Sequence, residues 1–187
     1  MRSSRSAPRG SQTYDCAIVD GKRATQISRA KLDVLEDLID SANAEGRKVV
    51  VIARFLPEID AISAMLKKCG IVHAMITGEV KDRSAEVERF QNDPEVTVFV
   101  GQIQTAAMGI TLTAASTMIF YSLDYSMSNY EQARARIHRV GQRNACTYIH
   151  LIAKSTIDVK VLQALREKAD LARTLIDDYK KGVNPFG

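Results

Sequence analysis

The segment Lys48–Ala53 contains an unbroken run of apolar, mostly β-branched residues, Val49–Ala53. A strand with one face in water alternates apolar and polar residues, whereas a strand buried on both faces shows a continuous apolar run. Helices must therefore cover both faces of the sheet that contains this strand. The run predicts an α/β domain with a mostly parallel sheet, and 187 residues suffice for one such domain with a sizeable core.

Further apolar runs alternate with segments of helical period along the rest of the chain. The predicted strands are Lys48–Ala53, 71–77, 95–100, 117–122 and 146–153. The predicted helices start near residues 28 and 57, cover 82–91 and 128–138, and end with a long helix at 156–181. Strands separated by helices in this way favour right-handed crossovers and a parallel sheet.

The chain divides into an N-terminal segment and one folded domain. Residues 1–25 are rich in Ser, Arg and Gly and are predicted to be a basic tail, disordered or linker-like. Residues 26–187 are predicted to form the domain, with its core at 47–153. The long helix at 156–181 carries a single apolar stripe, which favours packing on one face of the sheet. The alternative is a brace that reaches beyond the domain.

Charge and cysteine content restrict the class of protein. The net charge is +4, and residues 1–23 carry five basic and two acidic side chains. A second basic cluster lies between residues 132 and 157, where five basic residues occur without an acidic one, and such a cluster can hold phosphate groups. The longest apolar run is far shorter than a membrane span, and no secretory signal is evident. Three scattered cysteines suggest reduced thiols and no metal site, so we expect an intracellular protein, cytoplasmic, or nuclear in a eukaryote.

Two segments that follow predicted strands are candidates for ligand binding, because parallel sheets bind ligands at the carboxyl ends of their strands. Residues 101–112 are rich in small side chains, which allow backbone N–H groups to approach a phosphate. The alternative is an ordinary connection packed under a helix. At about 100° per residue, Gln132, Arg136 and Arg139 would project within roughly 60° of one another and share one helix face. The alternative for that face is a solvated basic surface.

Residues 132–142 read QARARIHRVGQ and closely resemble motif VI of the SNF2 branch of superfamily 2 helicases and translocases. Residues 105–115, TAAMGITLTAA, resemble motif V of the same family, although Ala107 and Thr111 replace a more usual Gly and Asn. Lys48–Ala53 with Arg54 occupies the position of motif IV, and Thr77-Gly78 resembles the next block. The resemblance covers about residues 29–168. It implies a RecA-like, P-loop NTPase-like fold, namely the C-terminal helicase lobe.

The same resemblance implies a set of functional residues. Arg136 and Arg139 would be catalytic arginine fingers that stabilise charge on the transferring γ-phosphoryl group of ATP. Gln132 and Gly109 would be cofactor-binding residues that set nucleotide geometry between two lobes. The implied contacts to the DNA backbone are Thr111, Thr105, Arg54 and Thr77. The Mg²⁺ that accompanies ATP would be held by the first lobe.

The chain lacks the phosphate-binding half of such an enzyme. No G-x-x-x-x-G-K-[ST] sequence and no Asp-Glu pair occurs in it. We therefore expect the second lobe of an ATP-dependent DNA helicase or translocase, inactive alone, with DNA and an N-terminal helicase lobe as partners. The alternative is a non-catalytic nucleic-acid-binding or regulatory module that docks on a partner ATPase. A third alternative is a nucleotide-binding domain without a DNA role.

Overall fold

The computed structural model describes residues 12–13, 18–20, 23–25, 28–78 and 82–180. The strands are β1 (Gln12–Thr13), β2 (Ile18–Asp20), β3 (Arg23–Thr25), β4 (Lys48–Ala53), β5 (His73–Ile76), β6 (Val98–Gln102), β7 (Ala115–Phe120) and β8 (Thr147–His150). The helices are α1 (Ala30–Ala44), α2 (Leu56–Lys68), α3 (Arg83–Asn92), α4 (Met127–Arg134) and α5 (Ile157–Lys180), with a 3-10 helix at Ile103–Met108.

In the described ranges, five parallel strands form the main sheet, in the order β5-β6-β4-β7-β8. The continuous apolar run forms the central strand β4, with the bounds that the sequence predicts. Its alternate residues enter two cores. Val50 and Ile52 pack with Phe90 and Phe99 on one face, and Val49 and Val51 join a second cluster against α1 and α2. This RecA-like α/β arrangement confirms the predicted fold class.

Three short strands lie among the described residues of the N-terminal segment. The strands β1, β2 and β3 lie inside the predicted tail and pair as an antiparallel sheet, with Asp20 opposite Arg23. In the sequence only Gly21 and Lys22 separate the paired Asp20 and Arg23, and a glycine first in a two-residue connection is a common hairpin signal, which a judgement by composition overlooks. The other residues of 1–25, Cys16 among them, lie outside the described residues.

The predicted helix at 128–138 is shorter than expected. Helix α4 ends at Arg134, and residues 135–142 form turns. The reason is competition from bonds to other parts of the chain. The carbonyl of Arg136 accepts the backbone N–H of Leu112 at 2.9 Å, and the carbonyl of Ile137 accepts the side-chain amide of Gln142 at 3.2 Å. The shared helical face of Gln132, Arg136 and Arg139 is therefore wrong.

Helix α5 packs on the sheet through only its first half. Val161 and Leu165 are buried, whereas Leu171 and Ile176 are 61% and 55% exposed. A helix of 24 residues is about 36 Å long, and strands of four to six residues reach only about 13–20 Å. The prediction that the whole helix covers one face of the sheet thus holds for its first half alone. None of the helices in the described part of the chain has the length and apolar character that a membrane crossing requires.

Four buried or half-buried polar side chains, which we call the edge network, join α1, α2, β7 and α5 at the carboxyl edge of the sheet. The network consists of Lys31, Glu58, Ser122 and Asp158. The Lys31 ammonium lies 2.5 Å from the Asp158 carboxylate and donates to the Tyr121 carbonyl at 3.0 Å. The Ser122 hydroxyl donates to Glu58 and accepts the backbone N–H of Arg54 at 2.8 Å. The network therefore fixes where the chain leaves β4.

Burial raises the pKa of Glu58 to about 7, while the hydrogen bond from Ser122 and the charge of Lys31 oppose that rise. The folded protein therefore binds this proton more tightly than the unfolded chain does. Protonation contributes fully to stability below about pH 4.5, and the contribution is lost as the pH rises through about 7. A pKa raised from 4.5 to about 7 corresponds to about 3 kcal/mol of unfolding free energy.

We predict that Glu58→Gln removes this pH dependence, because the amide does not titrate. The measurement is denaturant unfolding of the wild type and the variant at about pH 5 and about pH 8. The wild type should lose about 2–3 kcal/mol more than the variant between these conditions. Parallel pH profiles for the two proteins would contradict the assignment.

Candidate functional site

The carboxyl edge of the main sheet brings together several segments singled out in the sequence. Arg54 follows β4, Thr77 follows β5, and the 3-10 helix follows β6. Gly109 ends that 3-10 helix in a left-handed conformation with φ of 76°, which favours glycine because a side chain there is strained. The chain then continues through residues 109–115, the small-residue loop, into β7.

Residues 135–142, the arginine turn, follow α4 directly and pack along the small-residue loop. The Arg136 side chain reaches the carbonyl oxygen of Ile110 with its Nη1 at 3.5 Å. Arg139 Nη1 lies 3.4 Å from the same oxygen, 3.2 Å from the Gly109 carbonyl and 2.9 Å from Thr111 Oγ1. Two guanidinium groups therefore converge on one carbonyl.

The described residues supply no carboxylate partner for this pair of charges. Within the described ranges, neither Arg136 nor Arg139 forms an ion pair with a carboxylate. Arg136 is only 7% exposed, and its Nε atom is buried without a hydrogen-bond partner. Burial lowers the pKa of Arg136, and the charge of Arg139 lowers it further. A guanidinium has five N–H donors, and the loop carbonyls use few of them.

Such an arrangement suits an anion with several oxygen atoms. Each guanidinium can donate two parallel hydrogen bonds to a carboxylate or phosphate. An anion at this point would also relieve the mutual repulsion of the two cations. The geometry thus fits a phosphate group that approaches from outside this chain.

Gln132 lies on α4, before the arginine turn. Its amide donates to Ser128 Oγ at 3.1 Å, and its Oε1 atom is buried without a partner in the described part of the chain. None of the described hydrogen bonds joins Gln132 to either arginine. The described hydrogen bonds therefore connect Gly109, Thr111 and Arg139, with Arg136 sharing the Ile110 carbonyl, and none of them includes Gln132.

The other candidate residues use much of their bonding capacity within the chain. Thr105 is 4% exposed, and its hydroxyl donates to the Gln102 carbonyl at 2.6 Å. Thr77 is 7% exposed. The Arg54 guanidinium stacks on the Phe55 ring at 4.7 Å, and the Arg54 carbonyl accepts the Gln102 amide at 3.3 Å. All three residues lie at the same edge of the sheet.

Sequence reasoning missed two parts of this region. The edge network holds the backbone of Arg54 through Ser122 and Glu58, and these residues share no local sequence pattern. Gln142 ends the basic string, and its amide contacts the carbonyls of Thr113, Ala115 and Ile137. The available sequence signal was the glycine before it, because glycine often marks a turn. In the structure Gly141 has a φ of 102°.

Aromatic side chains support the end of α4. The Arg134 guanidinium stacks on Tyr148 at 4.6 Å and on Tyr130 at 5.5 Å, and it pairs with Glu131 at 2.9 Å. The Tyr148 hydroxyl donates to the Arg134 carbonyl at 3.2 Å. Arg134 is thus a structural arginine, unlike Arg136 and Arg139.

Comparison with known proteins agrees with this geometry. Residues 30–141 match the family described as helicase conserved C-terminal domain. The chain is 31% identical over 165 residues to the chromatin-remodeling ATPase INO80 of Drosophila melanogaster, covering 87% of this chain and 10% of that protein. It is 28% identical over 159 residues to the helicase SWR1 of Yarrowia lipolytica, covering 84% of this chain and 9% of that protein. The chain thus spans about a tenth of the length of these relatives.

A solved structure shows the same fold. The crystal structure of the C-terminal part of the Fun30 ATPase domain superimposes with a TM-score of 0.69 and 25% sequence identity. The match covers 72% of this chain and 44% of that one. With more than half of its length matched by one family, the chain belongs to the helicase conserved C-terminal domain family, in the SNF2 branch that its motifs V and VI indicate.

Proposed function

We propose that this chain is the second lobe of an SNF2-like, ATP-dependent DNA helicase or translocase. In this proposal a first lobe supplies the phosphate-binding loop, and Arg136 and Arg139 complete the ATP site as arginine fingers. One observation supports the proposal above all. The two guanidiniums converge on the Ile110 carbonyl, and neither pairs with a carboxylate of the described residues.

The energetics favour a role in the transition state. Positive charge held in place before the reaction stabilises charge that develops on the phosphoryl group, without later reorganisation. Arginine fingers contribute about 10³–10⁵ in rate in well-studied nucleotide hydrolases. Arg139 is the more accessible of the pair and is already oriented by Gly109 and Thr111, so we assign it the direct contact with the γ-phosphate. Arg136, buried behind it, would support that charge.

The roles of the nucleotide and the metal ion follow from the family resemblance. Bound Mg²⁺ neutralises phosphate charge in such sites. We assign it to the first lobe. Within the described residues of this chain, His, Cys, Asp and Glu side chains form no group suited to a metal ion. Gln132 and Gly109 would then border the nucleotide from the second lobe, where it lies between the two lobes.

DNA would contact the same edge of the sheet through its phosphates. Thr111 Oγ1 accepts from Arg139, and its hydroxyl hydrogen can still donate to a phosphate oxygen. Arg54 presents its guanidinium to the DNA, and hydrogen bonds with Ser122 and Gln102 fix the Arg54 backbone. Thr77 would add a hydroxyl contact at this edge, and Thr105 would exchange its bond to the Gln102 carbonyl for one to a phosphate. Phosphate contacts fix the position of a protein on DNA without reading its sequence, so binding should tolerate any sequence.

We predict that Arg139→Lys in the complete two-lobe enzyme lowers DNA-stimulated ATP turnover by at least about ten-fold, because an ammonium cannot replace the forked guanidinium. The measurement is steady-state ATP hydrolysis at saturating DNA. Arg143→Lys is the matched control, since Arg143 is an exposed arginine just beyond the turn, and it should keep wild-type turnover. Equal turnover by Arg139→Lys and the wild type would remove the finger assignment.

We predict that residues 1–187 alone hydrolyse no ATP above background, with or without DNA, because the phosphate-binding motifs are missing. Addition of a first lobe should restore turnover. Robust hydrolysis by the chain alone would contradict the two-lobe proposal. An assembled pair that binds DNA but never hydrolyses ATP would instead support the non-catalytic module.

We predict that DNA affinity of the two-lobe enzyme falls steeply with salt and that Arg54→Ala reduces the slope of log affinity against log salt by about 1. Loss of one phosphate contact releases one fewer counterion, whatever the DNA sequence. The measurement is a set of binding isotherms on two unrelated duplexes at several salt concentrations. An unchanged slope would show that Arg54 does not touch a phosphate.

A further inference from the structure

The arginine turn has few bonds of its own. Within the described residues, its local backbone bonds are Ala135 N–H to Glu131 O, Arg136 N–H to Ala133 O, His138 N–H to Arg134 O and Gln142 N–H to Arg139 O, at 3.0, 3.0, 3.3 and 3.0 Å. Residues 138–141 are exposed, and Val140 projects fully into solvent. Burial of Ile137 anchors the start of the turn. The end of the turn needs another anchor.

Gln142 provides that anchor with a single side-chain amide. Its Nε2 atom lies 2.7 Å from the Ala115 carbonyl, 3.2 Å from the Ile137 carbonyl and 3.3 Å from the Thr113 carbonyl. Its Oε1 atom accepts the backbone N–H of Asn144 at 3.0 Å. An amide has two N–H donors, so at least one of them is shared between two of these three carbonyls.

The acceptors belong to different segments, which gives the amide its effect. Thr113 lies in the small-residue loop and Ala115 starts β7, whereas Ile137 lies between the two arginines. Ala115 and Ile137 are buried, so loss of the donor would remove a hydrogen bond from each of their carbonyls where water has little access. The amide therefore ties the arginine turn to the segment whose carbonyls and hydroxyl already orient Arg139.

We propose that Gln142 is a positioning residue for the arginine pair: it holds Arg139, through the backbone of the turn, at the place where a phosphate would be met. The inference rests on the proposed function of Arg136 and Arg139. Gln142 itself would not contact the phosphate. Displacement of a catalytic group by about 1 Å can cost about a hundred-fold in rate, so a small loosening of the turn has a large effect.

The chain offers a matched control in Gln91. Its amide also clamps the small-residue loop, with Nε2 at 3.3 Å from Thr113 Oγ1 and Oε1 accepting the Ala114 N–H at 2.8 Å. Gln91 lies on α3 and has no described contact with the arginine turn. Gln91→Met and Gln142→Met therefore remove similar bonds from the same loop, and only the second variant frees the turn.

The experiment compares four variants of the two-lobe enzyme: Gln142→Met, Gln91→Met, Arg139→Lys, and the Gln142→Met/Arg139→Lys double variant. Residues that act as a unit show non-additive losses. We expect Gln142→Met to lower kcat about ten-fold with the KM for ATP unchanged, and to lower it less than about two-fold further when Arg139→Lys is present. Gln91→Met should stay within about two-fold of the wild type.

Hydrogen exchange separates this inference from the function on which it rests. Gln142→Met should speed exchange of the backbone amides of Leu112, which donates to Arg136, and of His138, which donates to Arg134, by about ten-fold, and Gln91→Met should not. Unchanged exchange overturns the clamp. A multiplicative loss of kcat in the double variant also overturns the positioning role. If exchange rises but Arg139→Lys keeps full turnover, the clamp stands and the finger assignment fails.

Thermal unfolding identifies variants that do not fold. If Gln142→Met fails to fold, Gln142→Asn takes its place, because it keeps the amide on a side chain one methylene shorter. It should show the same kinetic pattern, since the shorter amide cannot reach both segments. Wild-type kinetics and exchange in a folded Gln142→Asn enzyme would likewise overturn the proposal.

Discussion

Two positive charges that converge on one backbone carbonyl dominate the carboxyl edge of this lobe. Arg136 and Arg139 repel each other, and the described residues supply no carboxylate to offset that repulsion. Proteins tolerate such an arrangement where an anion completes it, because a desolvated and unpaired charge is costly. The rest of the structure can be understood as the framework that keeps this pair in place. The turn that carries it, the loop beneath it and the sheet edge behind both depend on one another.

The framework works at two scales. Burial of β4 on both faces sets the position of the sheet edge, and the edge network then fixes the chain where it leaves β4. Nearer the arginines, single hydrogen bonds replace hydrophobic burial as the means of control. The turn has neither helical nor strand pairing, so a side-chain amide and a few carbonyls determine its path. The arginine pair is therefore held by a few hydrogen bonds on a sheet edge that hydrophobic burial fixes.

The parts of the fold that depend on local periodicity could be predicted, and those that depend on distant partners could not. The apolar run of β4 has the predicted bounds, because burial on both faces leaves a direct pattern in the sequence. The arginine face on a continuous helix was wrong, because the bond from Leu112 to Arg136 overrides helical period. The pairing of Lys31 with Asp158 joins residues far apart in the chain and leaves no spacing to recognise. The resemblance to motif VI includes Gln142, but the sequence does not indicate which three carbonyls its amide contacts.

The protruding half of α5 has a geometric consequence for how such a lobe can vary. Its buried residues end at Leu165, and Lys168 makes a further bond to the Tyr125 carbonyl. Beyond that point each inserted or deleted residue shifts the helix tip by about 1.5 Å and rotates it by about 100°. Changes in helix length would thus rotate Leu171 and Ile176 around the helix axis by about 100° per residue, while the sheet stays intact. The reach and the orientation of the exposed half of α5 can therefore change without any change at the carboxyl edge of the sheet.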